Sequence, residues 1–293
     1  MSTDAALTPA AGEYTDKNIK TLKDAAHIRQ NPGMYVGNTQ SAGLHHLVYE
    51  IVYNSVDEAL AGFCTQIRVV IHKEGSVSVI DNGRGIPIGI KADSGKSTLE
   101  EVMTVAGSSG KFDNAAYKVS AGLHGMGAKA MNALSEWCEV EVRRDGRVYK
   151  MEFERGYRSG ELQDLGPAPD GKTGTTITFK PDPEMFGDLT FSYETLADRF
   201  REIAYLNKGL AISLTDERVG KSESFQFQGG IAEFVEYLNT GEQVEHVPVY
   251  MHKLVDGVDV EVALQYSSRE EKVERCYTNN AFNPDGGTHL SGY

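Results

Sequence analysis

The sequence predicts an α/β fold: a two-layer sandwich of a mixed, largely antiparallel sheet with helices on one face, followed by part of an α+β domain. Three observations support this prediction. Apolar residues recur at helical spacing over residues 43–61. Short β-branched runs flank glycine turns, as at Glu74-Gly75 and Asp145-Gly146, which is typical of hairpins. A glycine-rich segment at residues 122–127 leads directly into another helical pattern.

The individual elements follow from the same two periodicities. Helices are predicted at 43–61, 99–105, 125–134, 194–206 and after Gly229-Gly230. Strands are predicted at 67–71, 76–80, 139–143, 147–153, 175–179, 211–214, 224–227 and 258–266. Clean alternation in the last of these runs predicts a strand with one buried face.

Composition divides the chain into three parts. Residues 1–18 are rich in Ala, Thr, Pro and Gly without periodicity, which predicts a flexible N-terminal arm. Residues 19–228 contain most of the predicted elements and form the main predicted domain. Residues 229–293 hold one helix and a few strands, so we expect the incomplete start of a second domain.

The overall composition is that of an ordinary soluble globular protein, with 40% hydrophobic and 24% charged residues in 293. A net charge of −13 disfavours gripping nucleic acid by charge alone, although acidity also serves solubility. No apolar run approaches the roughly 20 residues that span a bilayer, and no export signal is visible. Three scattered cysteines show no disulfide or metal-ligand pattern, so we expect a cytoplasmic location.

The first predicted helix carries a polar stripe. Its members, at spacings of three and four, are His46, Glu50, Asn54 and Asp57 or Glu58. The plainer interpretation is a solvated helix face. The absence of Lys and Arg argues against it, and apolar neighbours around Glu50 provide the desolvation that suits a general base. Asn54 offers a neutral oxygen to a hard cation such as Mg²⁺.

The run from Val79 to Pro87 ends a predicted strand with an acid and a glycine turn. Such a sequence is good turn chemistry and needs no further function. The functional interpretation is that Asp81 accepts a hydrogen bond from an adenine amino group, which guanine lacks at that position. Gly83 and Gly85 would then allow the backbone to approach the base.

The glycine-rich segment is either a plain flexible loop or a phosphate-binding loop. A dinucleotide-binding fingerprint is excluded, because no apolar strand leads into it. The following helix would direct its first amides towards phosphates, and Lys111 is a further phosphate contact. The candidate contacts in the segment are Gly122, Leu123, His124, Gly125, Met126 and Gly127.

In this order and spacing, the three motifs resemble the ATP site of the GHKL ATPase superfamily and its Bergerat fold. Additional segments narrow the resemblance to the gyrase B family of type II topoisomerases, over residues 14–293. These segments are Asn31-Pro-Gly-Met-Tyr-Val-Gly37, Gly43-Leu-His-His46, Asn54-Ser-Val-Asp-Glu-Ala-Leu-Ala-Gly62, Asp81 to Pro87, Gly110-Lys-Phe-Asp113, Tyr117-Lys-Val-Ser120, Leu206-Asn-Lys-Gly209, Glu233-Phe-Val-Glu-Tyr-Leu-Asn239 and Gly286-Gly-Thr-His-Leu290.

The resemblance implies an ATPase that uses ATP and Mg²⁺. Glu50 would activate the attacking water with His46 as its partner, and Asn54 would hold the metal ion. Asp81 would bind adenine, supported by Gly85 and Thr175. The other implied nucleotide contacts are Tyr14 from the arm, Ile86, Pro87, Lys111, Tyr117 and the glycine-rich segment. Arg84, Pro87 and Arg144 would form the rim where aminocoumarin inhibitors compete.

The resemblance also implies partners and a larger task. ATP would close two copies into a homodimeric clamp on double-stranded DNA, and gyrase A would complete a heterotetramer for strand passage and negative supercoiling. Residues 229–293 would begin a transducer domain. The alternatives are the corresponding ATPase domain of topoisomerase IV and a nucleotide-sensing dimerisation module with little hydrolysis. Tyr53 stands where the family usually has Asp before the magnesium-binding Asn, which alters the polarity near the metal.

Overall fold

The structure, a computed structural model, describes residues 24–108 and 125–293. The predicted arm at 1–18 therefore lies outside the described residues. The helices are α1 (Asp24–Gln30), α2 (Gly33–Val36), α3 (Ser41–Leu60), α4 (Thr98–Thr104), α5 (Gly127–Ala133), α6 (Pro183–Phe186), α7 (Tyr193–Leu206), α8 (Ile231–Leu238) and α9 (Thr288–Gly292). The strands are β1 (Gln66–Ile71), β2 (Val77–Asp81), β3 (Ser135–Arg144), β4 (Arg147–Glu154), β5 (Tyr157–Arg158), β6 (Gln163–Pro167), β7 (Gly174–Pro181), β8 (Ala211–Asp216), β9 (Lys221–Phe225), β10 (Val249–Val255), β11 (Val258–Leu264), β12 (Tyr277–Thr278) and β13 (Ala281–Phe282).

The main sheet has nine strands in the order β5-β4-β3-β7-β2-β1-β8-β9, with β6 paired to β4. Its neighbours are antiparallel except β1 and β8, which are parallel. Alternate residues of the central strands, such as Val69, Val140 and Phe179, are buried in one core with α3, α5 and α7. The predicted mixed, largely antiparallel α/β sandwich is confirmed.

Helix α3 packs its apolar face into this core, and the polar stripe that begins at His46 lies on its other face. The buried apolar side chains are Leu44, Leu47, Val48, Ile51, Val52 and Val56. Fully burying a side chain of this kind stabilises the fold by roughly 1.5–3 kcal/mol. Near the helix start, a Cβ added at Gly43 would lie 1.7 Å from the Asn38 carbonyl oxygen, so only glycine fits.

The hairpin of β10 and β11 differs from the sequence prediction. Alternation predicts one buried face, yet Val258 to Glu261 are exposed on both faces and only the end of β11 is partly buried. The prediction is wrong because this hairpin forms its own two-stranded sheet, and α8 is the element that packs against β11. Alternation thus reports a strand but not what covers it.

Residues after 229 are connected to the main sheet through aromatic packing on α7. The Tyr205 ring stacks on Phe227 at 3.6 Å between centroids and on Phe234 of α8 at 5.0 Å. The tip of the β12–β13 hairpin also contacts the residue that follows α7, because Asn280 Nδ2 donates to Asn207 Oδ1 at 3.0 Å. A domain boundary at residue 229 stays a prediction.

All three cysteines are free thiols, and burial raises the pKa of Cys64 to about 11. Within the two described ranges, no helix has the length and apolar character required to cross a bilayer.

Candidate functional site

A cavity of about 1010 Å³ lies along the polar face of α3. Residues of α3, α5, α7, β2, β7 and β13 contribute to its wall, together with the turn that follows β2. Most predicted site residues meet here. Those in the wall are His46, Glu50, Asn54, Asp81, Arg84, Gly85, Ile86, Pro87, Gly125, Met126, Gly127, Arg144 and Thr175.

The other predicted site residues lie outside the described residues, so their placement stays a prediction. They are Tyr14, Lys111, Tyr117, Gly122, Leu123 and His124.

Glu50 is held from two sides at the cavity wall. His46 Nε2 lies 3.1 Å from Glu50 Oε1, because positions i and i+4 share a helix face. On the other side, a Cβ added at Gly127 would lie 1.9 Å from Glu50 Oε2, so the start of α5 packs directly on this carboxylate. The Glu50 side chain is 25% exposed, which combines partial desolvation with access from the cavity.

Asp81 ends β2 as a buried acceptor. Its Oδ2 accepts from the Ser55 hydroxyl at 2.9 Å, and its Oδ1 accepts from the amides of Gly83 at 2.9 Å and Thr175 at 3.1 Å. Burial raises the pKa of this carboxyl, and the three hydrogen bonds oppose that rise. A carboxylate has about four acceptor positions, so one remains for a further donor from the cavity.

The backbone beside Asp81 leaves no space for a side chain at Gly174. This residue has a φ of +144°, and an added Cβ would lie 2.1 Å from the Asp81 carbonyl oxygen. We expect Gly174→Ala to lower the free energy of unfolding by about 1–3 kcal/mol more than the control Gly166→Ala. Gly166 has a φ of +104° with open space around it, so the control carries backbone strain without the clash. Equal midpoints in urea unfolding would contradict this expectation.

The predicted rim is built on two arginines. Arg84 Nε and Nη2 donate to Glu58 Oε2 and Oε1 at 3.0 and 2.7 Å, and its Cζ lies 4.0 Å from the Phe63 ring centroid. Arg144 Nη1 donates to the Gly85 carbonyl at 2.7 Å. Of the two acids left open for the polar stripe, Glu58 therefore orients Arg84, while Asp57 is fully buried.

Gly85 has a structural requirement that the sequence does not reveal. Its φ is +78°, and an added Cβ would lie 2.7 Å from the Arg143 carbonyl oxygen. Glycine is thus needed for packing against β3, whether or not a base approaches it.

Sequence reasoning missed two cations in the cavity wall. Lys129 is 3% exposed, and its Nζ donates to the carbonyls of Val102 and Ser108 at 2.8 Å each. The available signal was a lysine between the two alanines Ala128 and Ala130 of α5. Arg199 of α7 donates through Nε to the Tyr53 hydroxyl at 3.1 Å. No local pattern connects these two residues, because 146 positions separate them.

The donor set of the cavity suits a hard cation with few protein ligands. Asn54 and Glu50 present oxygen atoms one helical turn apart on the same wall. In the described part of the chain, no group of three or more His, Cys, Asp and Glu side chains forms a cage for a metal. Mg²⁺ is commonly held this way, with one or two protein ligands and the rest from water and substrate phosphates.

Comparisons with family models and with individual known proteins point to the same family. The model of the histidine kinase-, DNA gyrase B- and HSP90-like ATPases matches residues 39–185, and the DNA gyrase B model matches residues 230–293. A DNA gyrase B protein from Clostridium acetobutylicum is 48% identical over 96% of this chain and 44% of its own length. One from Thermotoga maritima is 45% identical over 96% of this chain and 45% of its own length.

A solved structure agrees with these relatives. The 43K ATPase domain of Thermus thermophilus gyrase B, in complex with an aminocoumarin, is 40% identical with a TM-score of 0.80. The match covers 91% of this chain and 69% of that one. The chain spans less than half the length of the curated relatives. With both family models, the relatives and the fold in agreement, the chain belongs to the DNA gyrase B family and corresponds to its ATPase region.

Proposed function

We propose that this chain binds ATP with Mg²⁺ in the cavity along α3 and hydrolyses it. The observation that carries the proposal is the buried Asp81 carboxylate, which has three protein donors and one acceptor position left. Glu50 lies on the same cavity wall against the start of α5. The Asp81 carboxylate thus suits a nucleobase that donates a hydrogen bond, and the Glu50 carboxylate suits a water molecule.

Base recognition follows from the acceptor character of Asp81. An ionised carboxylate only accepts hydrogen bonds, so it favours the exocyclic amino group of adenine over the carbonyl of guanine. The Ser55 hydroxyl and the Thr175 amide orient the carboxylate, so it does not need to reorganise when the base binds. Gly85, Ile86 and Pro87 form the adjacent cavity wall.

Asn54 would hold Mg²⁺ through its side-chain oxygen, and residues 125–127 at the start of α5 would lie near the phosphates. The metal ion would neutralise phosphate charge when bound. In the hydrolytic step, a water molecule gives a proton to Glu50 as its oxygen bonds to the terminal phosphorus and the bond to ADP breaks. His46, 3.1 Å from Glu50, positions that carboxylate.

The larger assembly is also a proposal, because this chain spans less than half of its curated relatives. We infer that it operates in the cytoplasm as the ATP-driven part of a homodimeric clamp that works with gyrase A on double-stranded DNA. Its net charge of −13 supports a division of labour in which other parts grip the DNA. The rim of Arg84, Pro87 and Arg144 would accept an aminocoumarin, as the Thermus thermophilus domain does.

Calorimetric titration with a non-hydrolysable ATP analogue, with and without Mg²⁺, tests the proposal. We expect Mg²⁺-dependent binding, and at least roughly ten-fold weaker binding of the matching GTP analogue because it lacks the hydrogen bond to Asp81. Equal binding of both analogues would contradict the role of Asp81. Absence of binding by either would contradict the proposed nucleotide site.

A further inference from the structure

Arg199 connects the candidate nucleotide cavity to the β12–β13 hairpin. Arg199 Nε donates to the Tyr53 hydroxyl at 3.1 Å, and Arg199 Nη2 donates to the same hydroxyl. Nη2 also donates to the Asn280 carbonyl, at 3.2 Å. Its Nη1 forms an ion pair with Glu202. The Arg199 side chain is 13% exposed, so this guanidinium is largely withdrawn from water and committed to three partners.

Tyr53 is the partner on the cavity side. It lies directly before Asn54 on α3 and lines the cavity. Burial raises the pKa of the Tyr53 phenol, and Arg199 opposes this rise. Two N–H groups of the Arg199 guanidinium, on Nε and Nη2, donate to the Tyr53 hydroxyl oxygen.

Asn280 is the partner on the hairpin side. Asn279 and Asn280 have φ angles of 48° and 68°, the left-handed pair expected at a two-residue hairpin turn. The next two residues, Ala281 and Phe282, line the cavity. The hairpin is thus a wall of the cavity, and the Arg199 guanidinium fastens its tip to α3.

We propose that Arg199 is a positioning residue of the nucleotide site, which ties Tyr53 to the β12–β13 hairpin so that nucleotide binding and hairpin docking stabilise each other. This inference rests on the proposed function. Such a coupling is reciprocal: a nucleotide that orders the cavity wall must also order the hairpin, and a loosened hairpin must weaken nucleotide binding. Residues 277–282 would then transmit nucleotide occupancy to the region after 229.

The chemistry of the contact calls for arginine rather than lysine. The planar guanidinium reaches Tyr53, Glu202 and Asn280 together, whereas an ammonium is a compact point charge without that fork. Arg199→Lys therefore keeps the charge and removes the link. Tyr53→Phe keeps the ring and removes only the hydroxyl that accepts from Arg199.

Hydrogen–deuterium exchange of the 277–282 backbone, with and without the Mg²⁺–ATP analogue, tests the coupling. In the unsubstituted chain we expect the analogue to slow this exchange by at least about five-fold, the lower end of typical coupling. Arg199→Lys and Tyr53→Phe should abolish that slowing and raise the KM for ATP more than they lower kcat. Arg201→Lys is the matched control, because Arg201 lies on the same helix but pairs with Asp198 and Glu223.

The outcomes separate this inference from the proposed function. If the analogue protects the backbone around Asp81 but leaves 277–282 unchanged, the coupling is wrong and the nucleotide site stands. Full coupling in both Arg199→Lys and Tyr53→Phe would also overturn it. If neither region is protected in the unsubstituted chain, the nucleotide site itself is wrong. If the Arg199→Lys variant fails to fold, the Tyr53→Phe variant alone tests the coupling between nucleotide binding and hairpin docking.

Discussion

Replacing Glu50 by glutamine should lower the kcat for ATP hydrolysis by about 10²- to 10⁴-fold, the usual contribution of a positioned general base. Glutamine cannot take the proton of the attacking water, whereas the rest of the cavity is unchanged. Glutamine is preferable to alanine, because the start of α5 packs directly on this side chain at Gly127. Binding of the non-hydrolysable analogue should persist, so calorimetry and a phosphate-release assay on the same samples check the prediction.

Glu161→Gln is the matched control for Glu50→Gln. The Glu161 side chain is 82% exposed and is not among the residues that line the cavity. Its turnover should equal that of the unsubstituted chain. Hydrolysis that survives in Glu50→Gln would exclude Glu50 as the base. Binding without turnover in the unsubstituted chain would instead favour a nucleotide-sensing module.

Asp81→Asn should weaken binding of the ATP analogue by roughly 10- to 150-fold, as expected for losing a hydrogen bond to a charged group. The amide also places an NH₂ donor among the Ser55, Gly83 and Thr175 donors, where the carboxylate accepts from all three. Discrimination against the GTP analogue should shrink at the same time. Titration calorimetry with both analogues measures the two effects.

Asp256→Asn is the control for this substitution. Asp256 is exposed at the β10–β11 turn with a φ of 50°, a left-handed conformation that asparagine tolerates as well. It should bind both analogues as the unsubstituted chain does. An Asp81→Asn variant that folds normally and binds the ATP analogue with unchanged affinity would refute the assignment of adenine to Asp81.

Part of the candidate site was predictable because it is local. His46 and Glu50 share a helix face at i and i+4, and that spacing alone brings them to 3.1 Å. Asp81 was identifiable because an acid and a glycine turn end an apolar strand. The Ser55 donor was not identifiable, since only the folded structure brings α3 to the end of β2. Thr175 of β7 was expected beside Asp81 only through the family resemblance.

The errors and omissions have the same origin. The prediction that one face of β11 is buried was wrong, because alternation does not specify which element covers a strand. Helix α8 packs against β11, but Val258 to Glu261 remain exposed. Arg199 escaped notice because it is an ordinary polar residue of an amphipathic helix until α3 and the β12–β13 hairpin pack beside it.

By itself, the sequence determined the α/β class, the approximate positions of most of the longer helices and strands, and the identity of Glu50, Asn54 and Asp81 as candidates. It placed β9 at 224–227 instead of Lys221–Phe225 and did not predict β10. Periodicity and short motifs are properties of residues that are close in the chain, so they can be recognised in the sequence without knowledge of packing. Only the tertiary structure decided that Glu58 orients Arg84, that Gly127 packs on Glu50, and that Tyr53 is joined through Arg199 to the β12–β13 hairpin. Contacts between residues distant in the chain depend on how whole elements pack, which local spacing does not encode.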